Sequence, residues 1–195
     1  MAKFRKRVFT PVTYVTALIK AVLFLPVGAL GYLIPASSRQ LREKVMLAIT
    51  GVNDCRYCSW AHTRLALSNK IDVEEINQLL SGVTGEVKDE KEAIAILYAQ
   101  SYAEEMMKPS KEASSAFNHA FTGRANLEIR AYIYGIHFAN LSGNSFDAML
   151  ARFKGRKCED SLFIVEVISS LISAPILLAI MLKAKSDKPG RFDAL

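Results

Sequence analysis

The stretch LREKVMLAITGVNDCRYCSWAH, residues 41–62, contains the pattern from which the fold of this chain is predicted. Its apolar residues recur every three to four positions, which is typical of helices that bury one face. Gly51 is predicted to end the first helix. Asn53 or Asp54 is predicted to cap a second helix, with Cys55 in its first turn. Because the connection is short, the two helices are expected to form a hairpin.

The rest of the chain is predicted to be helical as well. Long helices are expected over about residues 11–33, 125–153 and 160–183, with shorter helices between them. Pro26 and Pro175 are expected to kink the first and the last of these helices. No segment alternates polar and apolar residues as a half-buried strand does, so the predicted fold class is all-α.

Size and charge distribution limit the classes of function. The chain has 195 residues, a formal net charge of +6 and 51% hydrophobic residues, which fits one compact domain with an added segment. Basic residues cluster at residues 3–7, 154–157 and 183–191, whereas residues 72–105 are mostly acidic. Basic clusters beside apolar stretches suit a membrane surface better than a nucleic-acid groove. No nucleic-acid partner is predicted, because basic residues do not interleave with aromatic ones to form a base-stacking surface.

Two segments, residues 14–34 and 162–182, are long and apolar enough to span a bilayer, and Lys20 and Glu166 are their only charged residues. A helix that is apolar all round must be buried, either in protein or in lipid. We expect both segments to be central or interface helices of a cytoplasmic protein, with membrane association as the alternative. The N-terminus also resembles a signal peptide, but the length of its apolar stretch and the position of Lys20 favour retention as a helix of the domain.

Cys55, Cys58 and His62 carry the predicted chemistry. Residues three and four positions apart share one face of a helix, so both sulfurs and the imidazole are expected to point the same way. The N-terminus of a helix favours an anion, so the thiol pKa is predicted to fall and a reactive thiolate to form. His62 is predicted to accept the thiol proton, and Glu43, on the preceding helix, is predicted to orient His62.

The spacing disfavours three other chemistries. A c-type haem site needs a His directly after the second Cys, where Ser59 stands, and a thioredoxin-type site needs a preceding strand. A zinc site formed by the two cysteines and His62 lacks a fourth ligand unless folding supplies Cys158 or His119. Cys158 is otherwise predicted to be a small buried hydrophobic residue. His119 and His137 are predicted to be packing or interface residues, and no metal or cofactor is predicted.

The run LREKVMLA, residues 41–48, followed by CRYCSWAH, residues 55–62, resembles the alkylhydroperoxidase D-like branch of the carboxymuconolactone decarboxylase superfamily. That branch is marked by a Glu, a CxxC pair and a His at this spacing. The stretch YGIHFANLSGNSFD, residues 134–147, is similar to the closing helix of the family. We therefore expect residues 1–157 to form an alkylhydroperoxidase D-like helical bundle, and residues 158–195 to add an apolar C-terminal helix with a basic tail.

The resemblance implies a homo-oligomer, a trimer or a hexamer, that reduces hydroperoxides through a dithiol–disulfide cycle. It also implies a thioredoxin-like or lipoyl-bearing reductant. Cys58 would then attack the peroxide, Cys55 would resolve the intermediate, and Glu43 and His62 would form the proton relay. The best-known members have a second His between the two cysteines. Here that position holds Tyr57, which can hydrogen-bond but is a poor base because its unperturbed pKa is about 10.

The predicted function is therefore a thiol-dependent peroxidase or disulfide oxidoreductase. Two alternatives stay open. The apolar segments favour a membrane-associated redox sensor or assembly protein with little turnover. The superfamily also includes lactone decarboxylases that do not use thiols, although those members generally lack the CxxC pair found here.

Overall fold

The computed structural model describes residues 4, 6–82, 89–156 and 158–187. Within these residues the fold is all-α, as predicted, and consists of eight helices with no strand. The helices are α1 (Pro11–Leu33), α2 (Arg39–Asn53), α3 (Arg56–Ser68), α4 (Val73–Leu80), α5 (Glu90–Glu104), α6 (Lys111–Ala120), α7 (Gly123–Phe153) and α8 (Phe163–Asp187).

Most of these helices begin where a short polar side chain can accept a hydrogen bond from the first turn. This capping compensates backbone N–H groups that have no partner inside the helix. The caps with such a bond are Thr10, Ser38, Asp72, Asp89 and Ser110. Helix α3 lacks a side-chain cap, which leaves its first-turn N–H groups beside the two cysteines.

Helix α2 lies at the centre of the molecule and packs against α3, α4, α5 and α7. Ten of its 15 residues are buried, so nearly its whole circumference faces protein. Arg42 and Glu43 are among the buried residues. The central helix therefore carries an ionisable pair into the core, where such groups are stable only when they are paired.

The structure corrects the predicted end of α2. Gly51 does not end the helix, which continues to Asn53. A Cβ at Gly51 would lie 2.5 Å from the carbonyl oxygen of Leu79, so this glycine permits the close approach of α4.

The predicted start of the next helix is also shifted. Asp54 is not the N-cap of α3 but the C-cap of α2, in the left-handed region with φ 53°. Cys55 is itself the N-cap of α3, so it precedes the first turn instead of lying in it. The reversal of chain direction thus occurs at Asp54, and the cysteine pair begins immediately after it.

Helix α7 is the surface on which the two apolar helices pack. Helices α1 and α8 both pack against α7, and α8 also packs against α3. Pro26 and Pro175 lie inside α1 and α8 without ending them. The turn from α1 to α2 is anchored by Glu128 of α7, which accepts hydrogen bonds from the backbone N–H groups of Ala36 and Ser37.

Both apolar helices expose much of their surface. Pro11–Leu33 and Phe163–Lys183 are long and apolar enough to cross a membrane, and little of either helix is buried. Core helices of soluble proteins and signal sequences can be equally long and apolar, so the length and composition of the two helices are only weak evidence for membrane association. Of the predicted basic tail, Lys188 and Arg191 lie outside the described residues, as do Lys3, Arg5 and Lys157 of the other clusters.

Candidate active site

The two cysteines at the start of α3 are reduced thiols in close contact. Their Sγ atoms are 3.0 Å apart, within hydrogen-bond distance. Cys55 holds the extended N-cap conformation, and Cys58 lies in the first turn of the helix. Cys55 is completely buried, whereas 6% of Cys58 is exposed. A reagent from solvent would therefore reach Cys58 more readily than Cys55.

Gly143 of α7 provides the space for the Cys55 sulfur. A Cβ at this position would lie 2.9 Å from Cys55 Sγ and 3.1 Å from the Tyr57 ring. Real Cβ atoms do not approach a sulfur that closely, so any other residue would push the thiol or the helix away. Helix α7 thus helps to set the distance between the two sulfurs.

The thiol electrostatics differ from the prediction. The hydrogen bond with Cys55 and burial raise the pKa of the Cys58 thiol well above its usual value, whereas the sequence predicts a lowered thiol pKa. The reason is that an unpaired helix N-terminus favours a thiolate only modestly, while a neighbouring sulfur and an apolar surrounding both favour the protonated form. Cys58 therefore needs a base if it is to react at neutral pH.

The predicted base, His62, lies one turn after Cys58 on α3. His62 Nδ1 lies 2.9 Å from Glu43 Oε2, so the hairpin of α2 and α3 brings the predicted base and carboxylate together. The other oxygen of Glu43 accepts a hydrogen bond of 3.0 Å from Arg42 Nε. Burial raises the pKa of Glu43, but the hydrogen bonds and charges of His62 and Arg42 outweigh it and hold this pKa below its usual value. Glu43 is therefore a carboxylate at neutral pH.

The Tyr57 hydroxyl is bonded to residues other than Glu43 and His62. It donates a 2.7 Å hydrogen bond to Asp147 Oδ1 and accepts one of 2.8 Å from Arg56. Burial and the neighbouring Asp147 raise the pKa of Tyr57 far above 10. The residue that stands between the two cysteines thus packs and bonds against α7.

Of the other residues predicted to have a packing role, His137 and Cys158 are buried, whereas His119 is exposed. His137 is fully buried, its ring stands edge-on to Tyr102 at 5.2 Å, and burial lowers its pKa to about 3. It is therefore neutral, and its Nδ1 lies 3.3 Å from the side-chain nitrogen of Asn53. His119 is exposed on α6, and Cys158 is buried beside Val8.

The zinc alternative finds no support in the geometry of the described residues. Within residues 4, 6–82, 89–156 and 158–187, no group of three or more His, Cys, Asp or Glu side chains is arranged to hold a metal ion. The proposed fourth ligands, Cys158 and His119, are placed elsewhere, in a small cluster beside α7 and on the surface of α6.

His62 also borders an apolar groove between α1 and α7. The groove has a volume of about 320 Å³, and its lining includes Phe24, Gly135 and Met46. Among the residues that line it, His62 is the only predicted site residue; neither cysteine of the pair takes part.

Comparison with known families agrees with the sequence resemblance at the family level. Residues 28–100 match the model of the carboxymuconolactone decarboxylase family, a shorter span than the residues 1–157 that were expected to form the helical bundle. The matched segment contains α2 and α3, with Glu43, both cysteines and His62, but not α7. No curated protein and no solved structure matches the chain.

Two contributors to the site were not predicted. Arg42 binds Glu43 inside the core, and nothing in its sequence neighbourhood distinguishes it from a surface arginine. Gly143 could have been predicted from the sequence. A glycine in the middle of a long helix lowers stability by about 1 kcal/mol relative to alanine, so its presence usually indicates a close packing contact.

Proposed function

We propose, from the match of residues 28–100 to the carboxymuconolactone decarboxylase family, that this chain is a thiol-dependent peroxidase or disulfide oxidoreductase. The observation that carries the proposal is the geometry of one helix start. Two thiols lie 3.0 Å apart, and a histidine held by a buried carboxylate lies one turn away. Such an arrangement provides a nucleophile, a resolving thiol and an oriented base.

In the proposed cycle Cys58 attacks the terminal oxygen of a hydroperoxide as a thiolate. The O–O bond breaks, sulfur becomes a sulfenic acid, and the alkoxide takes a proton and leaves as an alcohol. Cys55 then attacks the sulfenic sulfur, the S–O bond breaks, and the oxygen leaves as water. One peroxide and two thiols thus become one alcohol, one water and one disulfide.

His62 is proposed to take the proton of Cys58 as the thiol attacks. The raised pKa of Cys58 makes this transfer necessary, because little thiolate exists at neutral pH. Glu43 accepts the Nδ1 hydrogen bond of His62, which leaves Nε2 free of the proton and able to act as the base. Arg42 supports the relay indirectly, because it keeps Glu43 ionised.

An external reductant must return the Cys55–Cys58 disulfide to two thiols. We propose a thioredoxin-like or lipoyl-bearing dithiol, which would attack by thiol–disulfide exchange. Cys58 is the accessible sulfur for this exchange, since Cys55 is completely buried. A homo-oligomer, a trimer or a hexamer, remains part of the proposal.

The proposal is tested by peroxide consumption with purified protein. Dithiothreitol should sustain the reduction of tert-butyl hydroperoxide by the native chain, and Cys58→Ser should abolish it. Cys158→Ser is the matched control, because this third cysteine packs beside Val8 away from the pair. Equal rates for the native chain and Cys58→Ser would refute the proposal.

The order of the two thiols has its own test. A sulfenic-acid trap should label Cys58 in the Cys55→Ser variant after peroxide treatment. In the native chain, mass spectrometry should find a loss of two hydrogens located to the Cys55–Cys58 peptide. Trapping at Cys55 in the Cys58→Ser variant, with no trapping at Cys58 in the Cys55→Ser variant, would reverse the assignment.

One observation favours a second candidate function. The apolar groove reaches His62 but neither cysteine, so a ligand there would meet the imidazole first. This arrangement would suit a base-catalysed reaction without thiols, as in lactone decarboxylation. Activity toward a lactone that survives replacement of both Cys55 and Cys58 would support this candidate.

A further inference from the structure

Two basic clusters of the sequence, at residues 3–7 and 154–157, meet at one surface pocket of the folded chain. The pocket has a volume of about 240 Å³ and lies beside the start of α3. Its lining includes four basic side chains, those of Lys6, Arg56, Lys154 and Arg156. The proposed redox cycle assigns no role to any of them.

One wall of the pocket is the chain before α1, which is held against α7. Asn144 Nδ2 donates a hydrogen bond of 2.9 Å to the backbone oxygen of Arg7. Lys6 Nζ lies 3.3 Å from Asp147 Oδ2. Phe4 packs against a small buried apolar cluster. This wall therefore has a defined position, although it belongs to no helix.

The opposite wall is the C-terminus of α7. Lys154 is the C-cap of the helix, and Gly155 follows it in the left-handed region with φ 76°. The backbone N–H of Arg156 donates a hydrogen bond of 2.9 Å to the carbonyl oxygen of Ala151. This is the bond of a Schellman motif, which ends a helix and satisfies its last carbonyl groups. The two basic side chains thus start from a fixed turn beside the pocket.

The positive charge of the pocket is only partly balanced. Among the described lining residues, Asp147 is the one acidic side chain. Its Oδ1 lies 2.7 Å from a guanidinium nitrogen of Arg56, and its Oδ2 faces Lys6. Lys154 and Arg156 are exposed, and neither forms an ion pair or a side-chain hydrogen bond within the part of the chain that the structure describes. Four positive side chains and one negative side chain leave a net charge of +3 around the pocket.

The charge and shape of the pocket suit a phosphate group on an organic molecule. A phosphomonoester carries a charge of about −1.5 to −2 at pH 7, which two cations balance, whereas a carboxylate carries a single charge. Arginine binds phosphate oxygens with paired N–H groups, and lysine binds them as a point charge. Phe4, Leu150 and Ala151 provide an apolar wall for the organic part. The volume of about 240 Å³ lies below the about 300–1,000 Å³ of typical ligand pockets, so it suits a small group.

We propose that this pocket, between the chain before α1 and the end of α7, binds the phosphate group of a phosphomonoester. Lys154 and Arg156 bind the phosphate oxygens. Lys6 and Arg56 neutralise Asp147, so this carboxylate does not repel the ligand. The same chemistry occurs in soluble phosphomonoesters and in the headgroup of phosphatidic acid, and the experiment separates these two sources. The proposal does not depend on the chemistry of the thiols.

Isothermal titration calorimetry with phenyl phosphate tests the pocket directly. The native chain should bind one phenyl phosphate per chain. The double variant Lys154→Gln, Arg156→Gln should bind at least about tenfold more weakly, because it loses the charged hydrogen-bond donors to the phosphate. Both residues are exposed, so this variant should fold as the native chain does. Native affinity in this variant would overturn the proposal and assign both cations to the helix C-terminus alone.

A matched control separates the pocket from the overall charge of the chain. The double variant Lys108→Gln, Arg124→Gln also removes one lysine and one arginine at exposed positions, and neither residue lines the pocket. It should keep the native affinity for phenyl phosphate. An equal loss of affinity in both double variants would overturn the proposal, because the binding would then follow net charge.

Vesicle sedimentation distinguishes the two sources of the phosphate. If the ligand is a lipid headgroup, the native chain should sediment with phosphatidylcholine vesicles that contain phosphatidic acid, and not with pure phosphatidylcholine vesicles. The variant Lys154→Gln, Arg156→Gln should lose this sedimentation. If the ligand is soluble, phenyl phosphate should bind and the vesicles should not. Failure of the native chain to bind either phenyl phosphate or phosphatidic acid would overturn the proposal.

Discussion

Glu43 keeps a negative charge although no part of it is exposed. A lone carboxylate in such a place would be protonated, because burial disfavours the charged form. Here Arg42 and His62 each bind one of its oxygens, and the balance keeps its pKa low. The charge is thus stabilised by two partners, only one of which takes part in the proposed proton transfer.

Replacement of Glu43 by glutamine should lower stability in a pH-dependent way. Because the folded pKa is lowered, the carboxylate contributes stability above its unfolded pKa of about 4.3 and loses it as the pH falls through the folded value. We expect Glu43→Gln to reduce the free energy of unfolding by about 3 kcal/mol at pH 7 and by less below pH 4. Urea unfolding at both pH values measures this, and a difference that does not depend on pH would contradict it.

Replacement of His62 by asparagine should slow peroxide reduction most strongly near neutral pH. The raised pKa of Cys58 means that thiolate is scarce at pH 7 and increases as the pH rises. We expect a loss of about 10²-fold or more in kcat/KM at pH 7. The loss should shrink at alkaline pH, where hydroxide ionises the thiol. A pH–rate profile parallel to that of the native chain would assign His62 a structural role instead.

Replacement of Tyr57 by phenylalanine should affect stability and leave the pH dependence of turnover unchanged. The hydroxyl bonds to Asp147 and Arg56, so its loss costs about 1 kcal/mol of unfolding free energy. Asp147 keeps ion pairs to Arg56 and Lys6. A shifted pH–rate profile in Tyr57→Phe would show that this tyrosine takes part in proton transfer.

At the scale of elements, the site depends on where α3 begins and on how closely α7 approaches it. The left-handed Asp54 ends α2 and turns the chain directly into the N-cap at Cys55. Gly143 then allows α7 to lie against that cap. The distance between the sulfurs is therefore a property of three helices, although both cysteines belong to one.

A methyl group at Gly143 should disturb the thiol pair. Gly143→Ala would place its Cβ 2.9 Å from Cys55 Sγ, and overpacking of this kind costs typically 1–3 kcal/mol, so about 2 kcal/mol is expected. We also expect slower formation of the Cys55–Cys58 disulfide after a peroxide pulse, followed by mass spectrometry. Gly135→Ala, in open space on the same helix, is the matched control and should be at least as stable as the native chain. Equal stability of the two variants would contradict this view of the helix contact.

At the scale of the whole molecule, Lys20 and Glu166, the charged residues inside the apolar segments 14–34 and 162–182 of α1 and α8, are turned away from solvent. Lys20 points inward, with its Nζ 5.1 Å from the centre of the Tyr102 ring. Glu166 is fully buried and paired with Arg152. Each helix therefore presents an apolar outer surface, which includes Leu23 and Leu171, each about 70% exposed. Surfaces of this kind mark contacts with protein or lipid.

Cell fractionation decides between these contacts. If lipid covers the two helices, part of the native chain should sediment with membranes and be released by detergent. The double variant Leu23→Ser, Leu171→Ser should shift the protein toward the soluble fraction. Leu127→Ser, at an exposed position of α7, should not. Protein that is wholly soluble without detergent would contradict membrane association and favour a covered interface in an oligomer.

The spacing of residues along the chain was sufficient to predict the all-α class and the helix on which Cys58 and His62 lie one turn apart. These properties depend on the geometry of a single helix or of one hairpin, which also brought Glu43 to His62. The same local rules wrongly placed the end of α2 at Gly51 and allowed Asp54 as the N-cap of α3. Glycine is typical of helix ends, and the sequence does not show that Gly51 lies where α4 approaches closely.

The remaining features required the packed molecule. Tyr57 meets Asp147 across 90 residues of sequence, Gly143 meets Cys55, and the groove forms between α1 and α7. The direction of the Cys58 pKa shift was wrong in the prediction for the same reason, because burial and the neighbouring sulfur outweigh the helix terminus. Cys55, Cys58, His62 and Glu43 were thus predicted as site residues from their order in the chain. Their protonation and their access to a ligand depend on residues that only folding brings to them.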